Sequence, residues 1–167
     1  MIGKPNNSLP QAALILYFGA MPSNPARPRR RRRTPGDWAL LAEALPTLAL
    51  ASLAIRLLPF RTVAAAAAGL GRGARGNDPE RVRKARWAVE AWGRRVPWKA
   101  VCFQRGLALH LMLRRRGIAS VLNYGVGRRE EQRLAAHVWV DVDGETVIGG
   151  EEAPNYARLA RFPSEAA

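Results

Sequence analysis

Val101-Cys102-Phe103-Gln104-Arg105-Gly106-Leu107-Ala108-Leu109-His110-Leu111-Met112-Leu113-Arg114-Arg115-Arg116-Gly117-Ile118-Ala119-Ser120-Val121-Leu122-Asn123-Tyr124-Gly125-Val126 changes its hydrophobic period in the middle, and that change decides the fold. From Cys102 to about Arg115 the pattern is helical, and Arg114 to Arg116 stand where the negative end of a helix dipole favours cations. Gly117 is the residue type that ends helices in the left-handed region. Beyond it the period drops to two, which predicts a strand from Ile118 to Val126.

The pattern extends in both directions. Downstream, Gly127 to Arg133 reads as a polar connection and Ala135 to Val142 as a second strand. Asp143-Gly144 is a strong hairpin signal, with Glu145 to Ile148 as the returning strand. Upstream, Asp78-Pro79-Glu80 combines a capping side chain, a proline at the first helical position and an acid in the first turn. It predicts a helix to about Arg94 with Val82, Ala85, Val89 and Trp92 or Gly93 on its apolar face. Asp37 is a candidate cap for a helix from Trp38 to Leu45, which Pro46 either kinks or replaces with a second helix to Leu58. Thr62 to Leu70 predicts a short alanine-rich helix, and residues 71–78 a loop. The layout is α+β: N-terminal helices, then a helix beginning at Cys102 packed on a small antiparallel sheet.

Composition narrows the function classes. At 167 residues the chain suits one domain, divided here into a Pro/Arg-rich segment 1–36, a helical segment 37–76 and a core 77–167. Residues 1–36 read as disordered or as a mis-assigned start, since prolines alternate with Arg27 and Arg29 to Arg33. The apolar run 11–21 resembles a signal core, but the arginines follow it instead of preceding it. Glu43, Pro46 and Arg56 interrupt the apolar stretch from Trp38 to Leu58, so no transmembrane segment is expected. One cysteine excludes an intrachain disulfide and a cysteine-rich metal site, and the expected compartment is the cytoplasm. A net charge of +14 leaves a basic nucleic-acid- or peptide-binding module as the alternative to an enzyme. Against it, no nucleic-acid motif accompanies the arginines, and Arg114 to Arg116 are explained by the helix end.

Chemistry centres on the lone thiol. A cysteine at a helix start meets unpaired N–H groups that favour thiolates and can hold an oxyanion; the bland reading is a buried small hydrophobe. Of the two histidines, His110 lies eight residues along the same helix, about 12 Å away along the axis, and is expected to be structural. His137 opens the second strand, where it can reach a neighbouring helix start. It shares a face with Trp139 and Asp141, while Val138, Val140 and Val142 share the other, so the histidine face is expected to line a cleft. Asp141 is about 13 Å from His137 along the strand, too far to orient it. The two-residue turn puts Gly150 opposite His137, and a one-residue bulge would put Glu151 there; either Glu151, Glu152 or a backbone carbonyl is the expected third member. Gln104 is a candidate oxyanion donor, Arg105 a contact for an acidic substrate or a partner of Glu90 or Glu151, and Trp98 a core or cleft-wall aromatic.

Leu57-Leu58-Pro59-Phe60, Val96 to Leu109, Leu113 to Ile118, Ala136-His137-Val138-Trp139-Val140 and Val147-Ile148-Gly149-Gly150, in this order, resemble the transglutaminase-like leader-peptidase half of lasso-peptide biosynthesis B proteins. The resemblance covers roughly residues 37 to 162. It implies a cysteine peptidase of the papain/transglutaminase superfamily that removes the leader of a ribosomally made precursor peptide, with Cys102 as nucleophile and His137 as general base. It implies no metal or cofactor, and an asparagine-synthetase-like cyclase as a separate partner. In some members a carboxylate about a dozen residues after the histidine completes the triad, where this chain has Ile148-Gly149-Gly150. Fused members carry a leader-recognition domain in front. With 36 residues before the first helix, recognition is expected from a separate protein docking on the helical part. The same thiol–imidazole pair serves transfer to an amine as well as hydrolysis.

Overall fold

The computed structural model describes residues 32–69, 78–128 and 134–163. The expected apolar run at 11–21, most of the Pro/Arg-rich segment, most of the 71–78 loop and residues 129–133 of the polar connection lie outside the described residues.

Among the described residues, four helices precede the sheet: α1 (Pro35–Leu57), α2 (Phe60–Gly69), α3 (Pro79–Gly93) and α4 (Cys102–Arg115). Helix α1 begins three residues earlier than expected. Its cap is Thr34, whose hydroxyl accepts from Asp37 N–H (3.3 Å) while the Asp37 carboxylate accepts from Thr34 N–H (2.8 Å). Pro46 neither stops the helix nor starts another. A proline inside a helix costs roughly 3 kcal/mol. Burial of Leu41, Ala44, Leu48 and Ala51 on both sides of it offsets this, and the Thr47 hydroxyl donates to the Glu43 carbonyl (2.8 Å). By length and composition α1 is also the one described helix able to cross a membrane, although its buried stripe faces the core. Arg33, just ahead of it, lies over the rings of Trp38 and Trp87.

Asp78 caps α3 as expected, accepting from the N–H groups of Glu80 and Arg81, and Val82, Ala85, Ala88 and Val89 form its buried face. The Trp92 indole N–H reaches back to the Leu41 carbonyl at 2.9 Å and ties α3 to α1. Helix α4 ends with Gly117 at φ 73°. The Ile118 N–H bonds to the Leu113 carbonyl and the Gly117 N–H to that of Arg114, a Schellman closure.

The sheet contains β1 (Ser120–Arg128), β2 (Leu134–Val142), β3 (Glu145–Ile148) and β4 (Ala157–Phe162), in spatial order β3-β2-β1-β4 and antiparallel throughout. Asp143 and Gly144 both have positive φ, as a type I′ turn requires. Strand β4 and the short 3-10 turn Ala153–Asn155 before it are additions to the expected plan. Helices α3 and α4 cover one face, where Val138, Val140, Val142 and Leu122 meet Leu107, Met112, Val82 and Val89 in one core. Arg33–Ala167 is a single compact unit, and Leu41, Ala44, Leu48 and Ala51 of α1 with Val63 and Ala67 of α2 join that core. Helix and sheet approach closely at Gly106: a Cβ there would stand 2.8 Å from Val138 Cγ1, so glycine lets α4 lie against β2.

Candidate active site

The close approach at Gly106 sets the position of the thiol. Cys102 is one turn upstream on the same face of α4, half-buried and free. The first helical hydrogen bond is Arg105 N–H to the Val101 carbonyl (3.2 Å), so the N–H groups of Cys102, Phe103 and Gln104 precede the ladder and point out of the helix end. Donors so placed stabilise negative charge on a substrate carbonyl oxygen.

His137 occupies the neighbouring strand one residue before Val138. The residue is 5 % exposed and lines one cavity with Cys102, as expected of the histidine face, although Trp139 and Asp141 of that face do not line it. The imidazole lies between Trp139 (centroids 6.2 Å, near-parallel) and Tyr156 (4.9 Å), the latter brought in by the unexpected segment after β3. Nε2 is 2.8 Å from the Gly149 carbonyl oxygen. A carbonyl only accepts, so Nε2 carries the proton and Nδ1 of the neutral ring is the bare acceptor. The group that orients the imidazole is therefore a backbone carbonyl, one of the expected alternatives.

Of the two registers open in the sequence, the bulged one is present. Val142 pairs with Glu145 and Asp141 with Thr146, then Val140 with Ile148, leaving Val147 as the extra residue. That register would carry Glu151 opposite His137, but β3 ends at Ile148 and Gly149 turns away with φ 79°. Glu151 stays on the surface.

Cys102, Arg105, His137 and Glu151 line one cavity of about 560 Å³, walled by Thr146 to Gly150, by Arg86 and Glu90 of α3 and by Arg94 just after it. Arg105 does not pair with Glu90 or Glu151. Its Nη2 donates to the Gly93 carbonyl at the end of α3 (2.8 Å), and its chain lies over the Gly93 Cα, where a Cβ would stand 2.5 Å from Nε. Glu90 is instead taken by Arg86 (2.8 Å), with Arg94 at 4.0 Å. Gln104 and Trp98 are elsewhere. The Gln104 carbonyl accepts from Val101 N–H (3.1 Å) as a cap, and both residues line a second cavity against α1.

His110 is structural and fully buried. Nε2 donates to the Ala67 carbonyl (3.1 Å), so Nδ1 accepts from the Ser120 hydroxyl (3.0 Å), and burial pushes its pKa down to about 4. Asp141, on the histidine face, accepts from Asn123 Nδ2 (2.8 Å) and Thr146 Oγ1 (2.7 Å) and takes no part in orienting the imidazole. Among the described residues no three His, Cys, Asp or Glu side chains converge as a metal site.

The Gly149 carbonyl was foreseeable only as a class of partner, because a backbone oxygen has no sequence signature. Tyr156 carried no signal, since its neighbours show no periodicity. The family model of the transglutaminase-like superfamily matches residues 44–161. No curated protein and no solved structure matches the chain.

Proposed function

The chain belongs to the transglutaminase-like superfamily, and from that footing we propose that it is a cysteine peptidase that removes the leader from a lasso-peptide precursor. One observation carries the reading: His137 is held through Nε2 by the Gly149 carbonyl, its Nδ1 is left as an acceptor, and it shares a cavity with the lone thiol. In this mechanism Nδ1 takes the proton from Cys102 Sγ and the thiolate attacks the scissile carbonyl carbon. The oxyanion is received by N–H groups at the start of α4. His137 then returns the proton to the departing amine nitrogen, leaving a thioester on Cys102. Water attacks the thioester, gives its proton to Nδ1 and releases the acid and the thiolate. An amine in place of water would give transfer by the same steps.

The precursor peptide is the substrate, a separate protein supplies leader recognition, and an asparagine-synthetase-like cyclase acts on the product, all in the cytoplasm. The net charge of +14 is what favours a nucleic-acid-binding role, and among the described residues several arginines are already paired. The α3 arginines Arg81, Arg83 and Arg86 pair with Asp78, Glu80 and Glu90, and Arg115 and Arg116 pair with Glu43.

The test is cleavage of a precursor with the recognition partner present. Cys102→Ala and His137→Ala are each expected to lose about a thousandfold or more in rate with the fold retained by circular dichroism. Wild-type cleavage by either variant removes that residue from the mechanism.

A further inference from the structure

Beyond the thiol cavity, a second groove of about 640 Å³ runs between α1 and the segment leading into α4. We propose that this groove is a substrate subsite for an acidic, apolar stretch of the peptide adjoining the scissile bond, an inference that rests on the peptidase reading. Its walls are apolar: Leu53 and Ile55 of α1 face Trp98, and Leu50 and Leu57 extend the exposed surface along α1 at helical spacing. Trp98 is 37 % exposed yet fixed, because its indole N–H donates to Ser52 Oγ (3.0 Å), which itself donates to the Leu48 carbonyl (2.7 Å). A rigid, half-open aromatic of this kind supplies contact area at little entropic cost.

Charge decides what the walls select. Arg56 and Lys99 line the groove, no acidic side chain does, and neither cation makes an ion pair among the described residues. The thiol cavity, by contrast, sets Glu90, Glu151 and Glu152 beside its arginines. An apolar wall flanked by two uncompensated cations is complementary to leucine- or phenylalanine-like side chains next to carboxylates.

Position ties the groove to the reaction. Gln104 lines it on one side of the α4 N-terminus, and Cys102 and Arg105 line the thiol cavity on the other. An extended peptide crossing a helix end roughly 10 Å wide covers that span with about three residues. The acidic stretch therefore falls within about three positions of the bond that Cys102 attacks.

The binding test uses the full chain carrying Cys102→Ala. Two fluorescein-labelled hexapeptides are the probes, one alternating leucine with glutamate and one alternating leucine with lysine, read by anisotropy. The glutamate peptide is expected to bind at least tenfold more tightly, and Arg56→Glu with Lys99→Glu to abolish that preference. Both residues are exposed, so the fold is retained. Reversing Arg128 and Arg158, exposed on the sheet and outside the groove, is expected to change nothing. An equal loss in that control pair, or no loss in the Arg56/Lys99 pair, overturns the proposal. So does binding of anionic phospholipid vesicles that the same reversal removes, in a chain without peptide preference.

Cleavage of a proteome-derived peptide library by the wild-type chain separates the two readings. Cuts enriched in Asp or Glu within three positions, with the enrichment lost on reversal, support the subsite. Cuts without enrichment overturn the subsite and leave the peptidase standing. A precursor left uncut with the recognition partner present removes the peptidase reading, and the groove is then judged on the binding result.

Discussion

A methyl group added at Gly106 would stand 2.8 Å from Val138 Cγ1. Carbon atoms rest at about 3.5–4.0 Å, so Gly106→Ala forces the first turn of α4 and β2 apart by about 1 Å. Val138 is β-branched and only 2 % exposed, so its methyl group has no free rotamer to enter. Cys102 is one turn upstream on the same helix face and His137 directly precedes Val138, so the separation falls on the thiol–imidazole pair. A misplacement of about 1 Å costs on the order of 100-fold in rate. The fold survives: overpacking costs roughly 1–3 kcal/mol, and replacing a helical glycine by alanine returns about 1 kcal/mol. Two assays read the effect, precursor cleavage and the rate of iodoacetamide alkylation, which reports Cys102 alone because the chain has one cysteine. Both rates are expected to fall in Gly106→Ala. Gly106→Ala with Val138→Ala, which deletes the obstructing methyl, is expected to recover cleavage to within about tenfold of wild type. A Gly106→Ala chain with wild-type cleavage and alkylation refutes the claim that this contact sets the distance between sulfur and imidazole.

Glu151→Gln is expected to cleave within about threefold of wild type, because the Gly149 carbonyl already orients the ring; a loss near the 10⁴-fold seen when an orienting carboxylate is removed would assign that task to Glu151. His110, whose pKa is pushed down to about 4 by burial, binds its proton more readily in the unfolded chain. Stability is therefore complete above about pH 6.5 and falls as pH drops towards 4, by about 3 kcal/mol. Urea midpoints at pH 7.5 and 4.5 should show this slope in the wild type and a shallower one in His110→Asn; parallel slopes would contradict it. The Arg116 hydrogen bonds hold the Glu43 carboxyl below its usual range against the opposing effect of burial. Its contribution is present above about pH 4.5 and lost as pH falls through the lowered value, so Glu43→Gln is expected to cost up to about 1 kcal/mol at pH 7 and little in acid.

Elements whose signals are local were legible in the sequence. The α3 cap, the Gly117 stop, the Asp143-Gly144 turn and the valine face of β2 each rest on side-chain chemistry within a few residues. Thr34 was legible as well, since Thr34 and Asp37 stand three apart as a capping box requires, although attention to Asp37 placed the helix start too late. Strand β4 was not. Ala157, Arg158, Ala160 and Arg161 are poor strand formers, and it is the free edge of β1 that imposes their conformation. Of the two readings of Pro46, the second helix start is the one that fails, because the local cost of a proline is outweighed by core contacts that only the folded chain supplies. The thiol and the imidazole, which line one cavity, were singled out because their element starts could be read. Gln104, Arg105 and Trp98 were also singled out for their nearness to Cys102 along the chain, and the helix end divides them between two cavities.

Gly149 shows why a carboxylate does not complete this site. It lies twelve residues after His137, where the resemblance noted in the sequence implies a carboxylate in some members, and its φ of 79° is strained for any L side chain. A Cβ there would also stand 2.6 Å from the Val138 carbonyl oxygen and 3.1 Å from the Trp139 Cα, so an aspartate cannot enter unless the end of β3 retreats from β2. That retreat would withdraw the carbonyl that now accepts from Nε2. The two arrangements are mutually exclusive in this backbone: either a side chain at 149 and a displaced strand end, or a bare glycine and an oxygen 2.8 Å from the ring. The difference is one of charge more than geometry. A carbonyl dipole fixes the tautomer as well as a carboxylate does, but it lends an imidazolium less electrostatic support. Within the proposed mechanism the orientation of His137 is therefore secured at the expense of support for its charged form. The charge stabilisation that remains must come from the thiolate itself, which makes the ion pair depend more heavily on the closeness of Cys102 that Gly106 allows.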